Sequence, residues 1–527
     1  MHSTSLLATA MTNSAAPQQE DVILPIYCFD TTRLYGNQCT TSFADHLIKC
    51  GPRRAQFLLE SVADLRHQLR TKCRSELIVA CGNPAMIFHH IIDHIKQNYT
   101  TNIRIVCQNE VAEEELQLTK EIRSVIKQHF PLSRDKLIHE IWGSTMYDRM
   151  ELPYDRDALY HMPNGFTPFR TEMEKKCTIH KPFAVPNYLP FPHSDWPTEL
   201  SIPTTLPTSI PTVTTSEDAS SEEAPLEAER SPANRTNTEL LLPTVASTTY
   251  MPTLLDLGYT EEQMQEAQTH DPRGFSEIFK GGETAGLARV QQYIWEQDLL
   301  QNYFDTRNGM IGKDYSTKFS PWLAHGCISP RMIVAECQKY ERTRVKNKST
   351  YWVVFELLWR DFCKFFVLKH KRKIFFANGI LQHKKDEKRQ WNYYNPAFEA
   401  WKEGKTGYPL VDANMREMKA TGFMSNRGRQ NVASFLALDL QYDWRYGADW
   451  FESNLIDYDV YSNWVVRTTI FDCCCDFAMC CAVLQFIGHI AFLQMFCPQL
   501  LFFVELVCRR RIDRWPYQSV QYCQTKS

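Results

Sequence analysis

Short apolar runs bounded by polar or turn-forming residues recur four times early in the chain, at 22–29, 76–82, 102–108 and 136–143. Longer stretches with helical spacing separate them. Strands alternating with helices predict a doubly wound parallel sheet. From 193 to 249 the periodicity disappears into Pro, Ser, Thr and acidic residues, with SIPTTLPTSIPTVTTSEDASSEEAPLEAERSP at the centre. Such a composition buries too little apolar area to offset the entropy of ordering, so it reads as a disordered linker. From 250 to 463 apolar and aromatic residues recur at helical spacing, which predicts an all-α domain. The division is therefore a disordered N-terminus at 1–21, an α/β domain at 22–192, the linker at 193–249, a helical domain at 250–463 and an atypical apolar tail at 464–527.

The tail follows a different pattern. Residues 477–504 contain no Asp, Glu, Lys or Arg, and Arg509, Arg510 and Arg511 follow, which fits the length and flanking charge of a membrane span. Pro498, His489 and several glutamines dilute that signal, and translated noncoding sequence or an altered reading frame after Asn463 is the favoured reading. Eight of the 18 cysteines fall between Cys473 and Cys523, but CCC and CC pairs lack the spacers that let two thiolates reach one zinc. No metal is assigned.

Composition supports a sizeable core, with 43% hydrophobic and 12% aromatic residues, and a net charge of −3 argues against bulk attraction to nucleic acid. A local basic groove stays open, because Arg307, Arg342, Arg344, Lys346, Lys348, Lys364, Lys369, Lys371, Arg372 and Lys373 cluster in the helical half. For 369–373 a solvated helix face is an equal alternative.

Candidate chemistry concentrates in three blocks. In 401–463 carboxylates, arginines and aromatics recur at helical spacing. There Asn426, Arg429 and Gln430 share one helix face, and Asp457 and Asp459 could pair with Arg429 or hold a sugar hydroxyl. In DYSTKFSPWLAHGCISPR, at 314–331, Ser316, Thr317 and Ser320 precede an apolar stretch and suit either an anion such as a pyrophosphate or a simple helix cap. In FELLWRDF, Glu356, Trp359 and Arg360 fall at i, i+3 and i+4, which also fits an amphipathic helix with one ion pair.

Taken in order, these blocks, with IWGSTMYD at 141–148 and FMSNRGRQ ending at Gln430, resemble the cryptochrome and photolyase family, its DASH branch above all, from about Val22 to Asn463. The resemblance implies a photolyase-type α/β antenna-binding domain and an α-helical FAD-binding domain. It implies an FAD pocket of Tyr303, Ser316, Thr317, Ser320, Glu356, Arg360, Asn426, Arg429, Asp457, Asp459 and Asn463, with Asn463 facing the flavin N5. It implies a deoxyribodipyrimidine photo-lyase acting on cyclobutane dimers in single-stranded DNA. Glu356 and Trp359 would meet the flipped dimer, Arg307 and Arg427 the flanking phosphates, and Gln430 the DNA; Glu356, Trp359, Asn426 and Asn463 would be catalytic. A folate, 5,10-methenyltetrahydrofolate, is the antenna expected of the branch.

The chain also departs from the family. Trp391 and Trp444 match the outer and middle members of the tryptophan chain that reduces the flavin, while the inner position is Arg467. Trp464 lies on a different helix face from that position and is not expected to replace it. The family sheet opens with an arginine-containing strand that residues 1–21 do not hold. In a 3-2-1-4-5 order that strand is central, so two neighbours should expose backbone groups at about 1–3 kcal/mol each when buried. Either the sequence is part of a longer protein or this domain is damaged, and no GxGxxG signals a Rossmann-type dinucleotide site. The alternatives to repair are a blue-light photoreceptor or nucleic-acid-binding signalling protein, or an inactive truncated product. The compartment is left among chloroplast, mitochondrion, nucleus and cytoplasm, with an intracellular setting expected from the free thiols. Oligomeric state is unknown.

Overall fold

The computed structural model describes residues 22–44, 47–98, 103–131, 137–155, 159–192, 196–201, 245–269, 278–377, 379–380 and 391–465. Strands β1 (Ile26–Phe29), β2 (Ile78–Cys81), β3 (Ile105–Gln108) and β4 (Ile138–Ile141) occupy the four predicted runs. They alternate with helices α1 (Pro52–Cys73), α2 (Pro84–Asn98) and α3 (Glu113–His129). Helix α3 carries Glu113, Glu114 and Glu115 in its first turn and Lys127 and His129 in its last, the charge order its dipole favours.

The strands form two parallel pairs instead of one continuous sheet. β1 pairs with β2, Ile26 opposite Ile78, and β3 pairs with β4, Ile105 opposite Ile138. Among the described residues no strand hydrogen bond joins one pair to the other. Strand β2 is buried throughout, whereas β3 is only half-buried along its length.

The predicted linker is shorter than 193–249. Its ends form β5 (Glu199–Ser201) and β6 (Val245–Ser247); β6 runs antiparallel to β2, and β5 antiparallel to β6. An open edge of β2 offers backbone partners that need no apolar periodicity in the added strand, so composition hid both. Arg66 fixes the junction by donating to the carbonyls of Ser247, Thr249 and Tyr250. The remainder of the linker and the N-terminal 1–21 lie outside the described residues.

Helix α4 (Phe166–Lys176) leads toward the helical half. That half holds α5 (Glu261–Gln268), α6 (Glu283–Gln291), α7 (Tyr303–Thr306), α8 (Ser320–Ala324), α9 (Pro330–Thr343) and α10 (Lys348–His370), then α11 (Asn395–Lys402), α12 (Pro409–Thr421), α13 (Asn426–Ser434) and α14 (Trp444–Asn454). Asn347 and Thr350 form a reciprocal capping box at the start of α10. One core joins the halves: Met146, Phe166 and Phe169 pack with Trp322, Phe362, Phe365 and Trp444. A second core gathers Phe398, Trp401, Met415, Phe435 and Phe451.

The segment 142–147 docks on α10. The Asp361 carboxylate accepts from the backbone N–H groups of Met146 (2.9 Å) and Tyr147 (3.1 Å), and Trp142 stacks on Phe365 with ring centroids 5.4 Å apart. Lys364, fully buried, donates to Ser144 Oγ at 2.9 Å, and Lys369 donates to the Met162 carbonyl and Asn164. Both lysines therefore hold α10 against the junction between the halves, Lys364 from a fully buried position and Lys369 from a partly exposed one. No described helix is long and apolar enough to cross a membrane, and 477–504 lies outside the described residues.

Candidate functional site

Helix α13 begins at Ser425, whose hydroxyl accepts from the Gly428 N–H at 3.0 Å. A Cβ at Gly428 would stand 2.1 Å from Asn414 Oδ1, so glycine is what lets α13 lie this close to α12. The turn points Arg429 at the 457–463 segment, where its Nη2 donates to both oxygens of Asp457 (2.9 and 2.8 Å) while its Nε holds the Met424 carbonyl. Ser320 Oγ donates to the same carboxylate at 2.6 Å. The expected pairing of a carboxylate with Arg429 is thus present with Asp457 as partner. Asn426, Arg429 and Gln430 all lie on helix α13; Gln430 accepts from Arg427 at 3.1 Å, and Asn426 is exposed.

The hydroxyl-bearing turn before α8 is organised by a residue that spacing did not reveal. Buried Arg289 donates to the carbonyls of Lys313, Ser316 and Thr317 and to Asp314. Pro321 occupies the first turn of the short helix α8 and removes a donor there, so a helix start is a poor source of anion affinity. A cation is present instead. Lys318 is buried with φ +53°, donates to the Tyr315 hydroxyl at 2.9 Å, lies over the Tyr315 and Phe423 rings, and is pulled down to about 8 by burial. A lysine inside a serine and threonine cluster is readable in the sequence, but its burial depends on tertiary packing.

Deeper in, Arg360 donates to the carbonyls of Ser144 and Leu323 and to the Tyr461 hydroxyl (3.0 Å), with its Nε 4.0 Å from Asp459. Burial pushes Asp459 up to about 6 against the pull of Arg360 and a hydrogen bond from Ser462. Asn463 is held by donation of its side-chain amide to the Ala448 carbonyl at 3.2 Å. Tyr303 is buried on α7, near Glu356.

A second cluster surrounds Glu356. Trp352 Nε1 donates to its Oε1 at 3.1 Å, and Arg307 Nε stands 3.8 Å away. Arg307 departs from the outward phosphate contact expected of it: its side chain is only 9% exposed, lying over the Phe304 and Trp352 rings. Arg427 donates to Asn308 and Gln430, and burial, with repulsion from Arg307, lowers it to about 10. Burial raises the Glu356 carboxyl above its ordinary range, opposed by Arg307, the Trp352 hydrogen bond and Arg427, yet 41% of the side chain faces an opening. Two guanidiniums against one carboxylate leave a local positive charge. Trp359 lies parallel to Phe166, 3.8 Å between centroids, so one face of the indole is covered.

Trp444 is buried and donates to the Ala377 carbonyl, and Trp391 packs on the same core. Trp464 reaches Trp444, with ring centroids 5.6 Å apart, and also touches Phe43 and Phe375. Residue 467 lies outside the described residues.

The family model "DNA photolyase" matches residues 5–187, and "FAD binding domain of DNA photolyase" matches residues 352–498. Cryptochrome DASH of Ostreococcus tauri, described as chloroplastic/mitochondrial, is 39% identical over 458 residues, 85% of this chain and 72% of that protein. The chain belongs to the cryptochrome DASH family. Cryptochrome DASH of Danio rerio is 38% identical, covering 86% of this chain and 73% of its own length. The crystal structure of a Synechocystis cryptochrome superposes with a TM-score of 0.65 at 36% identity, over 85% of this chain and 77% of the other. This DASH-type, photolyase-like flavoprotein takes FAD as its cofactor. The donor set fits that group: buried cation Lys318 among Ser316, Thr317 and Ser320 suits a diphosphate, and Asp457 and Asp459 supply acceptors for hydroxyl or amide groups.

Proposed function

We propose that this DASH protein is a light-driven enzyme that splits cyclobutane pyrimidine dimers in single-stranded DNA. The observation that carries this reading is the Glu356 cluster, a carboxyl raised by burial, partly open, and set between Arg307 and Arg427. A protonated Glu356 donates a hydrogen bond to a carbonyl of an extruded dimer, and Trp359, fixed from behind by Phe166, offers its other face for stacking. Arg427, assisted by the charge of buried Arg307, holds a flanking phosphate, and Gln430 orients the Arg427 guanidinium. Single-stranded substrate is favoured because an unpaired base costs less to extrude.

FAD, when bound in its reduced form, supplies the electron that opens the dimer and takes it back. Tyr303, Ser316, Thr317, Ser320, Arg360, Asn426, Arg429, Asp457, Asp459 and Asn463 form its pocket in this reading, with Glu356 and Asn426 at the boundary between cofactor and DNA. Trp391 and Trp444 carry electrons toward it. The antenna is a folate of the 5,10-methenyltetrahydrofolate type, held in the α/β domain and detected as a near-ultraviolet absorbance that remains after flavin is subtracted.

The test is Glu356→Ala in the flavin-loaded full chain, with an oligonucleotide bearing one dimer under blue light. Loss of cleavage with retained flavin absorbance supports repair. Cleavage at the parent rate removes Glu356 from the mechanism. A parent chain that binds flavin and single strands without cleaving them is a photoreceptor or a nucleic-acid-binding signalling protein.

A further inference from the structure

Three metal-ligand side chains meet where α2 packs on α3, remote in the fold from the residues used above. His89 and Asp93 stand one turn apart on α2, and His129 is the last residue of α3. Each offers a ligand atom within 4.8 Å of the others. His89 Nδ1 and His129 Nε2 are 2.8 Å apart, His89 Nε2 is 3.3 Å from Asp93 Oδ2, and His129 Nδ1 is 3.4 Å from Asp93 Oδ1. The two rings are mostly shielded, with side chains 17% and 6% exposed, while Asp93 is 40% exposed and opens the cluster to solvent. Lys96 secures the same junction by donating to the His129 carbonyl at 3.1 Å.

We propose that His89, Asp93 and His129 form a site for a divalent transition metal of the zinc class, with water completing the coordination on the Asp93 side. Two imidazoles and one carboxylate are a borderline donor set, suited to Zn2+ or Co2+ and poorly suited to the all-oxygen preference of Ca2+ and Mg2+. Zinc bonds of about 2.0–2.1 Å in tetrahedral geometry separate neighbouring ligand atoms by about 3.3 Å. The ring-to-carboxylate distances already have that spacing. One ion takes one nitrogen from each ring, here His89 Nε2 and His129 Nδ1, the two that already face Asp93; that leaves His89 Nδ1 and His129 Nε2 both protonated, so the rings part from their present 2.8 Å contact when the ion binds.

The position gives the site a structural role. α2 links β2 to β3 and α3 links β3 to β4, so a metal bridging these helices clamps together two strand pairs that share no strand hydrogen bond among the described residues. Binding then raises the stability of the α/β domain by mass action.

The experiment uses the full chain, stripped with chelator and titrated with Zn2+ by calorimetry and with Co2+ by visible absorbance. Because any free thiol among the 18 cysteines is a competing zinc ligand, the comparison is with His89→Gln/His129→Gln. The parent should take up one more ion per chain than the double variant. The difference Co2+ spectrum should show weak visible bands with no thiolate charge-transfer band, and Zn2+ should raise the melting temperature of the parent alone. Asp93→Asn should weaken this site at least about tenfold, and His90→Gln, a neighbouring imidazole outside the triad, should leave it unchanged. Equal stoichiometry and equal melting shifts in parent and double variant overturn the site. If the double variant does not fold, Asp93→Asn decides, and unchanged affinity there overturns the proposal.

Discussion

Trp464 lies edge-on against Trp444, with ring centroids 5.6 Å apart and planes inclined at 69°. Both indoles are buried, and Trp464 is further enclosed by Phe43 and Phe375. A redox-active ring in direct contact with Trp444 supplies a neighbour for electron transfer although position 467 is arginine. Trp464→Phe, which keeps an aromatic packing group, should slow light-driven flavin reduction severalfold without releasing flavin, and Trp444→Phe should do the same. A parent rate of bleaching in Trp464→Phe would show that electrons reach the flavin by another route.

Glu356 predicts a pH profile. Burial raises its carboxyl above the ordinary range, so in the folded protein the protonated donor persists to higher pH than in an exposed glutamate. Dimer cleavage should fall as pH rises through that raised value. Glu356→Gln keeps a donor that does not titrate, so its rate, even if reduced, should be flat over the same interval. Repair kinetics on a single-stranded dimer at fixed light flux separate the two, and parallel profiles for parent and variant would assign the titration elsewhere.

The four strands and the helical half were legible because apolar runs and 3.6-residue spacing report burial directly. The pairing of β1 with β2 and of β3 with β4 was legible from the strand order of the family sheet. β5 and β6 were not, since they join the sheet through backbone groups on an open edge and carry little apolar signal. At the site, Arg429 and its carboxylate could be read from spacing, whereas Arg289, Trp464 and the inward turn of Arg307 depend on tertiary packing. The His89, Asp93 and His129 group was hidden for a similar reason. Only its i, i+4 half is local, and the third member comes from the end of another helix.

Asp457 joins two chain segments through Arg429 and Ser320, and its side chain is 2% exposed. Asp457→Ala leaves the Arg429 guanidinium short of its partner in a mostly buried setting, a loss of about 3 kcal/mol in the absence of flavin. Flavin retention should fall as well. Asp457→Asn keeps an acceptor for Ser320 and should cost less. Urea melts of the flavin-free chains measure the difference, and equal midpoints for parent and Asp457→Ala would reduce the pair to a minor contributor.

Asp361 and Glu452 predict how stability depends on pH. Burial pushes both up to about 7, Asp361 against the N–H groups of Tyr147 and Met146 and the charge of Arg360, Glu452 against Lys49 and Arg54. In the unfolded chain these groups titrate near about 4, so between about pH 4 and about pH 7 the native state holds more protons than the unfolded one. Stability contributed by the two groups is therefore full below that interval and is lost as pH rises through about 7. The melting temperature should drop by a few degrees between about pH 6 and about pH 8. The double variant Asp361→Asn/Glu452→Gln, which keeps hydrogen-bonding oxygens but cannot ionise, should flatten this dependence. A melting temperature that rises over the interval in the parent, or an equal slope in the double variant, would mean that these carboxyls are not the groups that titrate.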